Sequence, residues 1–383
     1  MLLEHGAGLD IPAGEGQPVL ISAVRAKLMN LVDLLLTKGA NINAQDNRGR
    51  TAIMHACRDP TYAEADLALI LAFKPDLNLT DNEGLTAVMG CLDKAKNKRS
   101  IAHKMHSRAQ LLLEHGADVN AKSHNSDNHL MRLGHNGDTA LTILLTSDSY
   151  QEYKFESHQS DWLELLLRHG ADMNIPGKGG DTPLLLALKH AHRLVPRLLE
   201  CGVNVNAMGS YNSPLVYALQ GPSRFVPTLL EHGADVNAPE PYGPSPILSA
   251  IKYAKTMLPL LLERGADVNV RGCRGRTALM DACLEEACQE DDEETETNYT
   301  EQILDLGADV DAVDEEGNSA LMQLCNSYRY SESTYLIDLL LSRGADLSIK
   351  NKAGKTASDL AYKNKNVYDL LIEYAHKTDF ILK

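Results

Sequence analysis

The nine-residue stretch LLEHGADVN occupies residues 112–120 and returns unchanged at residues 229–237. Close variants of it begin at Leu2, Leu35, Leu166, Leu198, Leu261, Ile303 and Leu340. The glycines of four consecutive copies, Gly170, Gly202, Gly233 and Gly265, lie 32, 31 and 32 residues apart. A period of this size is typical of stacked repeats, in which each unit buries its apolar face against its neighbours.

A second signature precedes the first one in each repeat. It consists of Gly, one variable residue, Thr or Ser, Pro or Ala, and an apolar residue, as in Gly180-Asp181-Thr182-Pro183-Leu184. The Thr hydroxyl can cap a helix, and Pro at the next position lacks only an N–H that would be unpaired there. The Leu pair of the first signature supplies a second helix, which the following Gly can end in the left-handed conformation. The sequence therefore predicts two helices per repeat.

Together these residues resemble the ankyrin-repeat family along essentially the whole chain. The resemblance implies an all-α repeat solenoid in which a β-hairpin finger precedes each pair of antiparallel helices. We expect a single array over residues 1–383, with a truncated repeat at 1–10, about nine repeats at 11–350 and a capping repeat at 351–383. Because the chain opens inside what should be a second helix, a fragment of a longer protein is expected.

Departures from the repeat predict local differences. Lys74 and Pro75 stand where Gly and Ala are expected, so we predict a distorted helix end there. Long gaps between the glycines predict insertions between paired helices, one of which contains the acidic stretch Glu285 to Glu296. Like charges in that stretch favour a solvated loop. Cys57, Cys283 and Cys325 each follow the capping residue by six positions, which predicts small buried side chains.

Composition limits the classes of function. Lys and Arg number 37 against 52 Asp and Glu, so nucleic acid and anionic membranes are not expected partners of a chain with net charge −15. Seven cysteines without a CxxC pair predict neither a disulfide framework nor a zinc module. No signal segment and no apolar run near ~18 residues is present. An intracellular location, cytoplasmic or nuclear, is expected.

Members of the ankyrin family bind partners through the fingertips and the exposed end of the first helix, and the residues at those positions are the candidates here. They are enriched in Arg, Lys and Tyr, which concentrate binding energy at interfaces. We predict that a monomeric array binds an acidic or phosphorylated segment of another protein. The candidates are Arg48, Arg50, Arg58, Lys189, His190, Tyr211, Tyr242, Lys252, Tyr253, Arg274 and Arg276.

Catalytic and metal-binding motifs are not recognised in the sequence. There is no HExxH, and Gly177-Lys178-Gly179-Gly180 lacks the GxxxxGK[ST] spacing of a phosphate loop. No enzymatic activity, cofactor or metal is expected, and a scaffold or protein-interaction module is favoured. Two alternatives stay open. Residues 268–277, VNVRGCRGRT, resemble ankyrin domains that sense a phosphorylated oligonucleotide and regulate an attached domain, and the array could also be a structural spacer.

Overall fold

The computed structural model describes residues 12–13, 17–97, 99–123, 137–146, 152–239, 243–287, 298–326 and 334–381. Two compact units are present, Met1–Ser210 and Tyr211–Lys383, here called unit 1 and unit 2. In the described part of the chain, no helix is both long and apolar enough to cross a membrane. The predicted assignment of the whole chain to one array stays a prediction.

The first described element of unit 1 is a two-stranded antiparallel hairpin in which Pro12 pairs with Pro18. Five pairs of helices follow it in the described residues, and the first helices of successive pairs pack on one another in chain order. The elements are β1 Pro12–Ala13, β2 Gln17–Pro18, α1 Val19–Arg25, α2 Met29–Thr37, α3 Ala52–Arg58, α4 Glu64–Ala72, α5 Ala87–Asn97, α6 Ala102–Glu114, α7 Ala140–Leu145, α8 Glu152–Arg168, α9 Pro183–His190 and α10 Val195–Glu200.

Unit 2 repeats the same arrangement of a first helix packed on its own second helix and on the first helix of the next pair. Hairpins in this unit contain the single bridges Arg271↔Thr277 and Val313↔Ser319. The described helices are α11 Pro214–Gln220, α12 Val226–Glu231, α13 Pro246–Tyr253, α14 Leu258–Glu263, α15 Ala278–Ala287, α16 Tyr299–Asp305, α17 Ala320–Asn326, α18 Thr334–Ser342, α19 Ala357–Leu360 and α20 Lys365–Ile381. The predicted class, an all-α solenoid of ankyrin repeats, is confirmed.

Most first helices begin at the predicted capping residue. The Ser213 hydroxyl accepts a hydrogen bond from Val216 N at 3.3 Å, and the Thr356 hydroxyl accepts one from Asp359 N at 3.2 Å. Such a cap stabilises a helix by about 1 kcal/mol. The prediction is wrong for Thr51 and Ser245, whose buried hydroxyl oxygens have no hydrogen-bond partner among the described residues.

Second helices end as the glycine signature predicts. Gly39 has φ +90°, and the bonds from Gly39 N to Leu36 O (3.0 Å) and from Ala40 N to Leu35 O (2.9 Å) close the last turn. Lys74 takes the place of this glycine with φ +52° and keeps the first bond, from its N to Leu71 O at 2.9 Å. Pro75 lies at the position of Ala40 and has no N–H, so the second hydrogen bond of this turn cannot form. The helix end predicted as distorted therefore keeps the left-handed turn but lacks one hydrogen bond.

The last Asn of the repeated stretch joins successive repeats. In unit 2, Asn269 Oδ1 accepts from Asp309 N at 2.8 Å, and Asn269 Nδ2 donates to Gly307 O at 3.1 Å. Asn120 makes the same two bonds in unit 1, to Asp172 N at 2.7 Å and Gly170 O at 3.0 Å. The amide therefore satisfies the backbone at the start of the next hairpin, where the helix has left groups unpaired.

Fingers are joined to one another through their backbones. Asn82 N donates to Arg48 O, and in unit 2 Lys352 N donates to Glu316 O, both at 2.9 Å. The tip glycine makes this approach possible, since a Cβ on Gly49 would lie 2.8 Å from Asn82 N.

The cores are apolar, and the predicted buried cysteines belong to them. Cys57, Cys283 and Cys325 are buried free thiols, and burial raises the pKa of Cys283 and of Cys325 to about 12. The nucleophile is the thiolate, and a thiol with a pKa of about 12 is almost entirely protonated near neutral pH. Cys283 and Cys325 are therefore unreactive. The insertion after Asp93 lengthens α5 and α6, whereas residues 124–136, 147–151, 288–297 and 327–333 of the other predicted insertions lie outside the described residues.

Candidate partner-binding surface

Asp81 lies at the centre of an ion-pair cluster between two repeats of unit 1. Its Oδ2 accepts from Arg50 Nε and Arg58 Nη1, each at 3.1 Å, and its Oδ1 accepts from Glu83 N and Leu85 N, each at 3.0 Å. The carboxylate is fully buried, and four donors offset the cost of removing it from water. Arg50 and Arg58 expose only 13% and 10% of their side chains. These two candidates therefore hold repeats together.

Lys189, another candidate, is also engaged within unit 1. It lies in the last turn of α9, and its Nζ donates to Asp181 Oδ2, in the preceding finger, at 2.6 Å. The ion pair fixes the finger against its own first helix. Arg48 is exposed at a fingertip and His190 is exposed at the end of α9, so these candidates remain at the surface.

A comparable contact joins His55 of α3 to Asp46 of its finger, with His55 Nε2 2.8 Å from Asp46 Oδ2. Burial lowers the pKa of His55, although Asp46 acts in the opposite sense. Burial alone would raise the pKa of Asp46, but hydrogen bonds from Arg50 N, the His55 ring and Arg48 N outweigh it and lower that pKa. Side chains of the first helix, here His55 and Lys189, thus fasten the finger that precedes their own helix.

Lys252 of α13 differs from its counterparts. Arg58, Lys189 and Lys252 each lie seven residues after the Thr or Ser that precedes their helix. Pro244 stands where the Lys189 repeat has Asp181, and Pro offers no side-chain acceptor. No carboxylate of the described residues forms an ion pair with Lys252, whose exposed Nζ lies 5.0 Å from the centre of the Tyr253 ring. A hydrogen bond with Tyr253 raises the pKa of Lys252, so the ammonium stays charged.

Exposed aromatic and basic side chains flank Lys252 in the sequence of repeats. Tyr253 is 52% exposed at the end of α13, and Tyr211, in the finger before α11, is 72% exposed. Arg274 is exposed at the tip of the finger before α15, where its φ is +60° and its carbonyl accepts from Glu315 N at 2.9 Å. We call Tyr211, Lys252, Tyr253 and Arg274 the α11–α15 surface. Tyr242, a further candidate, lies outside the described residues.

The nearest carboxylates on α15 already have cationic partners. Arg276 Nε donates to Asp281 Oδ1 at 2.7 Å, and Lys255 Nζ lies 3.2 Å from Glu285 Oε2. Burial raises the pKa of Asp281, and Arg276 opposes that rise. Asp281 and Glu285 attract Lys252 electrostatically, but neither forms an ion pair with it, and Arg274 also forms none with a carboxylate of the described residues. Arg276, a candidate from the sequence, forms an ion pair with Asp281.

Sequence reasoning missed Arg108, a buried cation on α6. Its guanidinium donates to the carbonyls of Ala56 (3.3 Å), Cys57 (3.0 Å) and Tyr62 (2.8 Å) and also to the carbonyl of Asp59. It therefore caps the C-terminal end of α3, where the helix dipole is negative. Lys96 does the same for α7 through Ile143 O at 2.9 Å. No sequence signal distinguishes these cations from solvated ones.

Two clefts bear on the ligand-sensor alternative. One, of about 400 Å³, lies between α6 and α8 and is lined by His103, His106, His158 and Trp162. The other, of about 340 Å³, is lined partly by Arg271 and Cys273, in the stretch that resembles oligonucleotide sensors. The Arg271 guanidinium there donates to Val313 O at 2.6 Å and Gly275 O at 3.2 Å. Among the described residues, no group of three or more His, Cys, Asp or Glu could hold a metal ion.

Stacked helix pairs, short fingers joined by backbone hydrogen bonds and exposed basic and aromatic side chains define a repeat protein built for interaction. A family model for ankyrin repeats, in three copies, matches residues 20–123 and 153–240, which are 104 and 88 residues and together 192 of 383. The chain belongs to the ankyrin-repeat family. Ankyrin repeats are in general protein-interaction modules without enzymatic activity.

Individual relatives match about half of the chain. The human B-cell lymphoma 3 protein is 32% identical over 199 residues, covering 48% of this chain and 42% of that protein. Its mouse homolog is 29% identical over 206 residues, covering 47% and 41%. The human ankyrin repeat and SOCS box protein 6 is 33% identical over 217 residues, covering 54% and 48%. The chain thus spans less than half the length of each of these relatives.

Proposed function

We propose that this chain is a non-enzymatic protein-interaction module that binds an acidic or phosphorylated segment of another protein through the α11–α15 surface. The observation that carries the proposal is Lys252, a charged first-helix side chain with no carboxylate partner among the described residues. Its counterparts Arg58 and Lys189 fasten fingers within unit 1. A partner carboxylate or phosphate would supply the acceptor that Pro244 does not.

Tyr211 and Tyr253 add the second component of binding. An exposed Tyr buries a large apolar ring at low cost in side-chain entropy, and its hydroxyl can still bond to a partner. A segment that places an acidic side chain at Lys252 would pack against the Tyr253 ring and approach Arg274 of the next finger. The two cations without ion pairs and the exposed aromatic area together favour a peptide-like partner over a small ligand.

An intracellular setting belongs to the same proposal. The cysteines of the described residues, Cys57, Cys91, Cys201, Cys273, Cys283 and Cys325, are free thiols. Reduced thiols are the usual state in the cytosol and nucleus. An intracellular regulator or scaffold is therefore the context in which we expect the surface to act.

Affinity capture followed by quantitative binding tests the proposal. The variant Lys252→Ala/Tyr253→Ala should weaken binding of the captured protein by roughly thirtyfold, since interface hot spots contribute about 2 kcal/mol or more. The matched control is Lys365→Ala/Tyr368→Ala, which removes one exposed Lys and one exposed Tyr from α20. Equal affinity of the two variants would remove the α11–α15 surface as the binding site. Capture of small phosphorylated ligands instead would favour the sensor alternative.

A further inference from the structure

The cleft between α6 and α8 of unit 1 is built from residues that the repeat does not require. α6 has 13 residues and α8 has 17, whereas the second helices α2 and α4 have nine each. Aligning the repeats places the extra residues at about 93–107 and 146–160, and these stretches contribute His103, His106 and His158 to the cleft. The insertions therefore add a cleft to the array. We call the space between residues 102–106 and 158–168 the α6–α8 cleft.

Trp162 lies at the bottom of the α6–α8 cleft. It is the single Trp of the chain, and its side chain lines the cleft but is fully buried. Its Nε1 is buried as well and has no hydrogen-bond acceptor in the described part of the chain. A buried donor without an acceptor destabilises a fold unless another molecule supplies the acceptor. A ligand that fills the cleft can stabilise the protein by placing an acceptor atom at this N–H.

His106 connects the two walls of the cleft. Its Nε2 lies 3.2 Å from Asp161 O on α8, and its ring packs edge-to-face on Trp162 with the ring centres 5.4 Å apart. The imidazole and indole rings give the cleft aromatic surfaces, and Ala102 and Leu165 add apolar ones. A cleft of about 400 Å³ with such walls is suited to a small ligand that has a planar apolar part.

The polar groups of the cleft favour an anion. The first turn of α6 reaches the cleft through Ala102 and His103, and this end of the helix dipole is positive. Arg168, in the last turn of α8, is exposed and forms no ion pair with the described residues, although it attracts Glu164 electrostatically. Glu164 is bound by Arg197, whose Nε and Nη2 donate to its two carboxylate oxygens at 2.6 and 3.1 Å. The Arg168 guanidinium can therefore pair with a carboxylate of a ligand.

Asp161 limits the charge that such a ligand can carry. Its carboxylate lines the same cleft, is 68% exposed and lies 3.9 Å from His158 Nδ1. A phosphate ester with two negative charges would be repelled by Asp161 and by Glu164, while Arg168 and the end of α6 offer little to balance it. A single negative charge meets half of that repulsion. The charges of the cleft thus suit a carboxylate better than a phosphate.

We propose that the α6–α8 cleft is a binding site for a small aromatic carboxylate. The ring of the ligand packs against His106 and Leu165, its carboxylate pairs with Arg168, and one of its oxygens accepts from Trp162 Nε1. The site lies within unit 1 and does not depend on the α11–α15 surface.

The test is a titration with 2-naphthoate, an aromatic monoanion, followed by NMR of ¹⁵N-labelled protein and by calorimetry. Because the chain has one Trp, a single indole N–H resonance reports on the cleft. A hydrogen bond from Trp162 to the ligand should shift this resonance downfield, with saturation at a Kd of about 1 mM or lower. The comparison probes are 2-naphthamide, which has the same ring without the charge, and 2-naphthyl phosphate, which carries a larger negative charge. Both should bind more weakly than 2-naphthoate.

Two variants test the residues. Arg168→Gln should bind 2-naphthoate about tenfold more weakly, because it removes a charge-assisted hydrogen bond. Its matched control, Arg264→Gln, removes an exposed Arg at the end of α14 and should leave the Kd unchanged. Trp162→Phe keeps an apolar ring without the N–H and should bind about fivefold more weakly. Thermal unfolding checks that the variants are folded, and the Arg168 variant and the wild-type resonance decide the question if Trp162→Phe is not.

Three results would overturn the proposal. In the first, 2-naphthoate neither moves the indole resonance nor gives a heat of binding. In the second, 2-naphthamide or 2-naphthyl phosphate binds at least as tightly as 2-naphthoate, which would make the cleft a purely apolar site or a phosphate site. In the third, Arg168→Gln and Arg264→Gln bind 2-naphthoate equally well, which would place the ligand outside the cleft.

Discussion

Lys74 is held in a conformation that suits glycine. Its φ of +52° costs a residue with a Cβ roughly 1 kcal/mol or more. Lys74→Gly should raise the free energy of unfolding by about 0.5–1 kcal/mol, because relief of strain exceeds the added entropy of the unfolded chain. Urea denaturation measures the change. Lys38→Gly is the control. Because Lys38 has φ −82°, glycine relieves no strain there, and this variant should have a lower free energy of unfolding.

His55 provides a pH test at the residue scale. Its pKa is lowered by burial in the folded state, so the unfolded chain takes up a proton at this site first as the pH falls. Stability from this group is complete above the ordinary His pKa near 6.5 and declines as the pH falls from there toward the folded pKa. We expect His55→Gln to reduce the loss of unfolding free energy between pH 7 and pH 5. An unchanged pH dependence would contradict this expectation. The control is His103→Gln, at an exposed position of α6, which should leave the pH dependence as it is in the wild type.

At the scale of elements, the finger and the following helix depend on one Asn. Asn269 accepts from Asp309 N and donates to Gly307 O, so it links two repeats through two backbone groups. Asn269→Ala should lower the free energy of unfolding by about 2 kcal/mol, near 1 kcal/mol for each hydrogen bond. Asn366→Ala, at an exposed position of α20, should change it by less than about 0.5 kcal/mol. If the two variants lost similar amounts of unfolding free energy, the two hydrogen bonds of Asn269 would not stabilise the fold.

At the scale of the whole molecule, charge opposes the proposed function and the local surface must overcome it. The net charge of −15 repels an acidic partner at long range, while Lys252 and Arg274 attract it at contact. Both effects are screened by salt, over about 8 Å at 0.15 M. Comparing the wild type with Lys252→Gln isolates the contribution of the local attraction to the affinity. Affinity for the captured partner should fall less steeply with salt in the variant, and equal slopes in salt titrations would mean that Lys252 makes no contact.

The repeat sequence determined the helices and their ends because its signals are local. A Thr or Ser hydroxyl caps the residue three positions later, and Gly at a helix end adopts a positive φ, so Ser213 and Gly39 could be assigned without tertiary information. The same local logic also identified Cys57, Cys283 and Cys325 as buried, because position within the repeat sets the face of the helix.

Tertiary structure alone decided which exposed-looking cations are available to a partner. Arg50, Arg58 and Lys189 have the same residue types and repeat positions as surface cations. They nevertheless form ion pairs with Asp81 and Asp181. Those contacts join a finger to a helix or to the next repeat, at sequence separations that no local pattern encodes. Lys252 is left for a partner because Pro244 stands where another repeat has the acceptor Asp181. Whether a cation is available to a partner thus depends on ion pairs that only the folded structure forms, whereas the repeat itself follows from local sequence signals.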